Sequence, residues 1–353
     1  MMENKSILLP SPIIDAKEDR SLKQLTERYD KLMQPGKISK LGDKAAALVP
    51  QRINEVGKAA KNAISEKELF MQCMKVVAEG FGILEKETAK LAVAENTIIK
   101  QINEASQGVE IDSIDAICLA RGYDISKIVS GYKTQDRMLA LVEGGATGAF
   151  GFAGLPFNIV LSTFLFYRAV QSIALHYGYD IKNDPSELVI ASDVFMNALS
   201  PESEGANEIT ELIGKIMVMT EITTVKQMSK KTWGEMASRG GVTLLICQMR
   251  ALANKAAKNA LEKAGKKGLE ENLFKGVFEQ IGKKATKEAV GKSVYFVGAF
   301  IGAFFDVAQM NRVLEYADVF YNKRFLLEKE VRINMLLMDE NDEPPVIIDV
   351  EDL

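Results

Sequence analysis

The chain has 353 residues, 47% hydrophobic and 26% charged, which suits one large or two modest folded domains and excludes collagen, wholesale disorder and a multi-span transporter. Forty-four basic against 48 acidic side chains leave a formal net charge of −4, so no whole-molecule field attracts nucleic acid and any basic site is local. The three cysteines, Cys73, Cys118 and Cys247, form no CxxC pair, which excludes a disulfide framework and fits free thiols in a reducing compartment.

Met1 to Pro12 holds one lysine and a short apolar patch broken by Pro10 and Pro12, without the continuous core of a secretory signal. The expected location is therefore cytoplasmic. Residues 1–40 are polar, carry Pro10, Pro12, Pro35 and Gly36, and predict a peripheral leader with one short helix near Leu22 to Leu32. Residues 41–335 read as a single multi-helix domain. No proline falls between Pro50 and Pro156 or between Pro201 and Pro344, and hairpin turns between alternating runs are missing, so the fold class is all-α.

Cap chemistry places helix starts at Ser65 with Glu68, at Ser200 before Pro201, and at Asp184, where Pro185 and Glu187 occupy the first and third helical positions. Gly122 and Gly178, each followed by Tyr-Asp-Ile, predict two helix ends, because glycine accepts a left-handed cap. Two charge-free segments follow. The first runs from Gly144 to Tyr167 and opens with Gly144, Gly145, Gly148, Gly151 and Gly154. As a helix it would rise about 36 Å, enough for a hydrocarbon core of about 30 Å. Its glycines and Pro156 leave only Phe157 to Tyr167 strongly apolar. The second, Ser293 to Phe305, contains Gly298 and Gly302. Glycines at this spacing let helix backbones approach closely, in a soluble core or in lipid, so the expectation is a central pair of glycine-rich apolar helices.

Between Arg250 and Lys292 stand eleven basic residues against five glutamates, leading directly into the second apolar segment. Lys255, Lys258, Lys263, Lys266, Lys267, Lys283, Lys284 and Lys287 are the candidates for a basic surface that meets an anionic membrane. A solvated Lys/Glu face or a protein partner are the alternatives. No aromatics interleave with these lysines, so nucleic acid is not expected. Leu273, Val277 and Ile281, with Phe274 and Phe278 alongside, line one helical face that needs a partner. Residues 336–353 carry acids and no base after Met338 and read as an extended tail.

Chemistry-bearing motifs are sparse. One histidine, His176, excludes a zinc site built on two, and no metal, cofactor or catalytic residue is expected. Gly291-Lys292-Ser293 lacks the upstream glycine of a phosphate loop, since Thr286 stands there. Asp180 to Asp184 begins like a calcium loop but has Lys182 at a ligand position and Pro185 at the turn. The alternatives to a non-enzymatic, membrane-associated or partner-binding protein are a hydrolase with a pocket near His176, Tyr177, Tyr179 and Asp180, and a soluble carrier of an apolar ligand.

The block Gly144 to Pro156, with Arg168-Ala-Val-Gln-Ser-Ile-Ala174 and Tyr177-Gly-Tyr-Asp180, resembles the EcsC family of bacterial proteins. Val297 to Ala303, Ala317-Asp-Val-Phe-Tyr321 and Arg324 resemble that family's closing helices, and Leu48-Val-Pro50 its early landmark. The resemblance covers roughly residues 45 to 326. It implies an intracellular bacterial helical protein, with relatives often named after a neighbouring ABC transporter system and with no assigned catalytic residue. Phenylalanines at 150, 152, 300, 304 and 305 make this chain bulkier than the glycine-alanine pattern of the family.

Overall fold

A computed structural model describes residues 8–33, 95–133 apart from 107, 155–199 and 307–337, with a few helical positions between 258 and 273. The described residues are helical and contain no strand, so the chain is all-α. In chain order they form α1 (Ala16–Met33), α2 (Glu95–Ala105), a 3-10 turn at Asp115–Leu119, α3 (Gly122–Lys133), α4 (Leu155–His176), α5 (Pro185–Leu199) and α6 (Val307–Leu337).

The spine is α6, 31 residues long, against which α1, α3, α4, α5 and the 3-10 turn all pack. Its Val313, Leu314, Ala317, Val319, Phe320, Tyr321, Phe325 and Ile333 are buried, and so are Asp318, Lys323, Arg324, Glu328, Lys329 and Arg332. A helix enclosed on several sides has no solvated stripe for its charges, and each must find an opposite charge or a carbonyl inside the protein.

Local sequence explains several boundaries. Asp184 caps α5: its Oδ1 accepts the Ser186 N–H at 2.9 Å and also contacts the Ser186 hydroxyl, while Pro185 needs no partner for its missing donor. At the end of α4 the Tyr179 N–H donates to Ala174 O (3.0 Å) and the Gly178 N–H to Leu175 O (2.9 Å), with Gly178 at φ +79°. This paired bonding needs a left-handed residue, which glycine supplies without Cβ strain. The echo at Gly122 turned out differently. Gly122 is the first residue of α3, not the end of a helix, and a Cβ there would come within 2.9 Å of the Leu326 side chain, whose end would have to shift. The two Gly-Tyr-Asp-Ile segments thus solve unrelated problems, close packing at one and chain reversal at the other.

Asp15 caps α1 through its Oδ1, which accepts the Lys17 and Glu18 N–H groups at 2.8 Å each, and Glu18 returns an acceptor to the Asp15 N–H at 3.2 Å. The helix then lies antiparallel along α6. Glu18 meets Lys329, Arg28 meets Glu315, and the Leu32 carbonyl accepts from Arg312.

Among the described residues no helix is long and apolar enough to cross a membrane. The segment from Gly144 enters the description only at Leu155, where α4 begins.

Candidate functional site

Most of the glycine and lysine candidates lie outside the described residues: Gly144, Gly145, Gly148, Gly151, Gly154, Gly298 and Gly302, and Lys255, Lys263, Lys266, Lys267, Lys283, Lys284 and Lys287. Ser65, Ser200 and the acidic tail do so as well. Lys258 is helical and exposed, as is Glu262. Leu269 is buried in the core, and Leu261 and Leu273 pack against it. Glu270 binds Arg168 of α4 at 2.7 Å and accepts from the Gln171 amide at 3.3 Å. At the described positions of this stretch, Leu261, Leu269 and Leu273 pack on the body and Glu270 is held by Arg168, while Lys258 is exposed.

The segment His176 to Tyr179 is part of the interior, and Asp180 is half-buried at its edge. His176 is 1% exposed, its Nδ1–H donates to the Ser172 carbonyl at 2.7 Å, and its ring lies 5.7 Å from that of Tyr132. A carbonyl only accepts, so the proton sits on Nδ1. Burial lowers the His176 pKa and keeps the ring neutral. Tyr177 donates to Asp318 of α6 at 2.7 Å, and the other oxygen of that carboxylate holds Lys133. Tyr179 donates to Glu328 at 3.2 Å. Asp180 accepts from the backbone of Lys182 and Asn183 and from the Asn183 amide, so it closes its own turn. Among the described residues no nucleophile is hydrogen-bonded to His176.

The residues that sequence reasoning missed are the buried charges that receive this corner. Arg324 forms a fork with Glu187 of α5, Nη1 to Oε2 at 2.6 Å and Nη2 to Oε1 at 2.7 Å, and its Nε donates to Glu328 at 2.7 Å. Its guanidinium lies over the Tyr179 ring at 4.0 Å. Burial works against the charge, but Glu187 and Glu328 outweigh it and hold the Arg324 pKa well above its ordinary value. Two turns further on, Arg332 donates to the carbonyls of Tyr177 (2.9 Å) and Gly178 (2.6 Å) and lies over the same tyrosine ring at 4.7 Å. At the far side, Glu18 accepts from Lys329 (2.6 Å), Arg121 (2.9 Å) and the Gly122 N–H (2.8 Å), and both Glu18 and Lys329 are fully buried. The available signal was that α6 spreads charged residues over every face, which a helix with one solvated side does not do.

Among the described residues no three metal-ligating side chains cluster. Tyr167 Oη, Tyr321 Oη, Asn197 Nδ2 and Arg168 Nε are buried without a hydrogen-bond partner. Cys118 is buried in the 3-10 turn, and burial pushes its thiol pKa up. Alkylation of Cys118 in the native protein should therefore be slow and should rise steeply across the urea unfolding transition, as read by peptide mass spectrometry; rapid labelling without urea would contradict the enclosed turn.

The blocks Arg168–Ala174, Tyr177–Asp180, Ala317–Tyr321 and Arg324 are thus brought against one another: Tyr177 reaches Asp318, Tyr179 lies under Arg324, and Arg168 anchors Glu270. No curated protein and no solved structure matches the chain. The EcsC protein family matches it over residues 16–326, from the first residue of α1 to the middle of α6. The match takes in the first helix, the Gly178 corner and Arg324 with its carboxylates, and on that coverage the chain belongs to the EcsC protein family.

Proposed function

We propose that this protein is a non-enzymatic helical scaffold that attaches peripherally, from the cytoplasmic side, to anionic membrane through the basic stretch between Arg250 and Lys292. The observation that carries the reading is the seating of that stretch. Leu261, Leu269 and Leu273 turn inward and Glu270 is held by Arg168, while Lys258 faces solvent in a region with eleven bases and five acids. A basic segment whose leucines at 261, 269 and 273 pack on protein meets lipid through its ammonium groups, each contributing about 1 kcal/mol near an anionic leaflet. The buried titratable groups support the same reading. Glu18, Glu187, Glu328, Arg324 and Arg332 hold helices together and are shielded from any substrate.

Co-sedimentation with vesicles tests it. Binding to vesicles of equal parts phosphatidylglycerol and phosphatidylcholine should exceed binding to pure phosphatidylcholine and should weaken at 1 M salt, where charges are screened within about 3 Å. Replacing Lys258, Lys263, Lys266 and Lys267 with glutamate should lower affinity by at least about tenfold, since each basic group contributes about 1 kcal/mol. Equal binding to both vesicles, or capture only by a protein partner, would overturn the membrane reading.

A further inference from the structure

The basic stretch is fastened to the body by two kinds of contact. Leu269 is buried in the core and Leu261 and Leu273 pack against it, which holds the chain down without orienting it, because apolar attraction has no direction. Glu270 supplies the directed part. Its Oε1 takes the Arg168 guanidinium at 2.7 Å and the Gln171 amide at 3.3 Å, both from α4. The receiving side is held in place by α4 itself: Arg168 Nη1 donates to Gln171 Oε1 at 2.9 Å, and the guanidinium lies 5.0 Å from the centre of the Phe164 ring. Arg168 Nε is buried without a partner, so without Glu270 the guanidinium would keep only Gln171 as an acceptor among the described residues.

Chain connectivity passes this order to the lysines. Lys263, Lys266 and Lys267 each stand two or three residues from Leu261 or Leu269, so their Cα atoms stay within about 11 Å of a residue seated on the body. The other described acid of the stretch, Glu262, is placed differently: it is exposed, one helical turn from the exposed Lys258. One acid thus stands in solvent among the bases, and the other spends its charge on Arg168.

We infer that these two acids act on membrane attachment in opposite senses: Glu270 is a positioning residue whose contact with Arg168 and Gln171 holds the lysine-bearing chain ready for an anionic surface, while Glu262 only subtracts positive charge from it. The inference rests on the membrane reading for its consequence, and on the α4 contacts for the latch itself. A chain fixed at both ends of a lysine run loses less freedom when several ammonium groups engage one surface together, and that saving appears as affinity. Charge counting alone gives the contrary expectation for Glu270, since removing an acid from a basic segment strengthens its attraction to anionic lipid.

The matched variants Glu262→Ala and Glu270→Ala each remove one negative charge, and binding of the full chain to phosphatidylglycerol vesicles separates them. Glu262→Ala should tighten binding by up to about fivefold, the worth of one charge near the leaflet. Glu270→Ala should weaken it by about threefold, and Glu270→Gln, which keeps an acceptor for Arg168 and Gln171, should fall between the parent and Glu270→Ala. Hydrogen exchange reads the latch without lipid: Glu270→Ala should speed exchange at residues 269–273 by about threefold and leave residues 185–199 unchanged. Unchanged exchange at 269–273 would overturn the latch. Faster exchange there with vesicle binding as tight as that of Glu262→Ala would overturn the positioning role and leave the membrane reading standing. A parent chain that does not prefer phosphatidylglycerol to phosphatidylcholine would overturn the membrane reading and the positioning role with it, and exchange would still decide the latch.

Discussion

Gly178→Ala is expected to destabilise the protein by about 3 to 5 kcal/mol, from two sources. Gly178 has φ +79°, and a side chain in the left-handed region costs about 1 to 2 kcal/mol. Its Cβ would also overlap Arg332 Nη2 and come within 2.9 Å of the Ile114 carbonyl oxygen, so the guanidinium must move away from the Tyr177 and Gly178 carbonyls. Hydrogen bonds from a charged donor contribute about 1.5 to 3 kcal/mol each, and part of that is lost. Gly108→Ala supplies the control. Gly108 has nearly the same dihedral, φ +81°, with open space around it, so it should cost only the conformational part. Urea unfolding of both variants reads the difference directly. If crowding of Arg332 is the cause, Gly178→Ala and Arg332→Ala should be markedly less than additive. Equal costs at Gly108 and Gly178 would mean that Arg332 does not depend on the glycine.

The fold class was legible because it rests on where prolines are missing, and the start of α5 was legible because Asp184, Pro185 and Glu187 act within one turn. The left-handed stop at Gly178 was legible for the same local reason. Gly122 shows the limit of that logic. Its Tyr-Asp-Ile context matches that of Gly178, but the side chains packed closely on it, Leu326 and Phe325, come from the other end of the chain. Glu18 has the same character. Its capping partner is three residues away and could be read from sequence, while its socket lies 103 residues away at Arg121 and 311 away at Lys329. The buried charges of α6 were hidden because periodicity rules assign charged residues to solvent, and only a helix packed on several sides breaks that assumption. Arg324 entered the sequence reading as part of a family block, without a role. The structure supplies one by setting it between Glu187 and Glu328.

Removing that arginine should have an effect as large as the Gly178 substitution. Arg324→Met keeps the volume and the apolar contact with Tyr179, but it leaves Glu187 and Glu328, both under a tenth exposed, without their shared counter-charge. Breaking a buried pair from one side costs about 3 to 5 kcal/mol, because the abandoned charge must be neutralised or hydrated inside the protein. For a domain of this size that is a fall in Tm of about 10 °C, visible by circular dichroism. Arg324→Lys should recover only part of the loss, since an ammonium carries the charge but cannot form the fork to both Glu187 oxygens and still reach Glu328. The informative comparison is Arg324→Met with Glu187→Gln and Glu328→Gln together. With these three charges replaced by neutral groups of similar shape, their desolvation is no longer paid, and such replacements commonly restore stability. Recovery in the triple variant would mean that the three ions specify how α5 seats on α6 without adding net stability. A triple variant no better than Arg324→Met would locate the contribution in the fork's geometry, and an Arg324→Met protein as stable as the parent would remove the fork from the account of why these helices hold together.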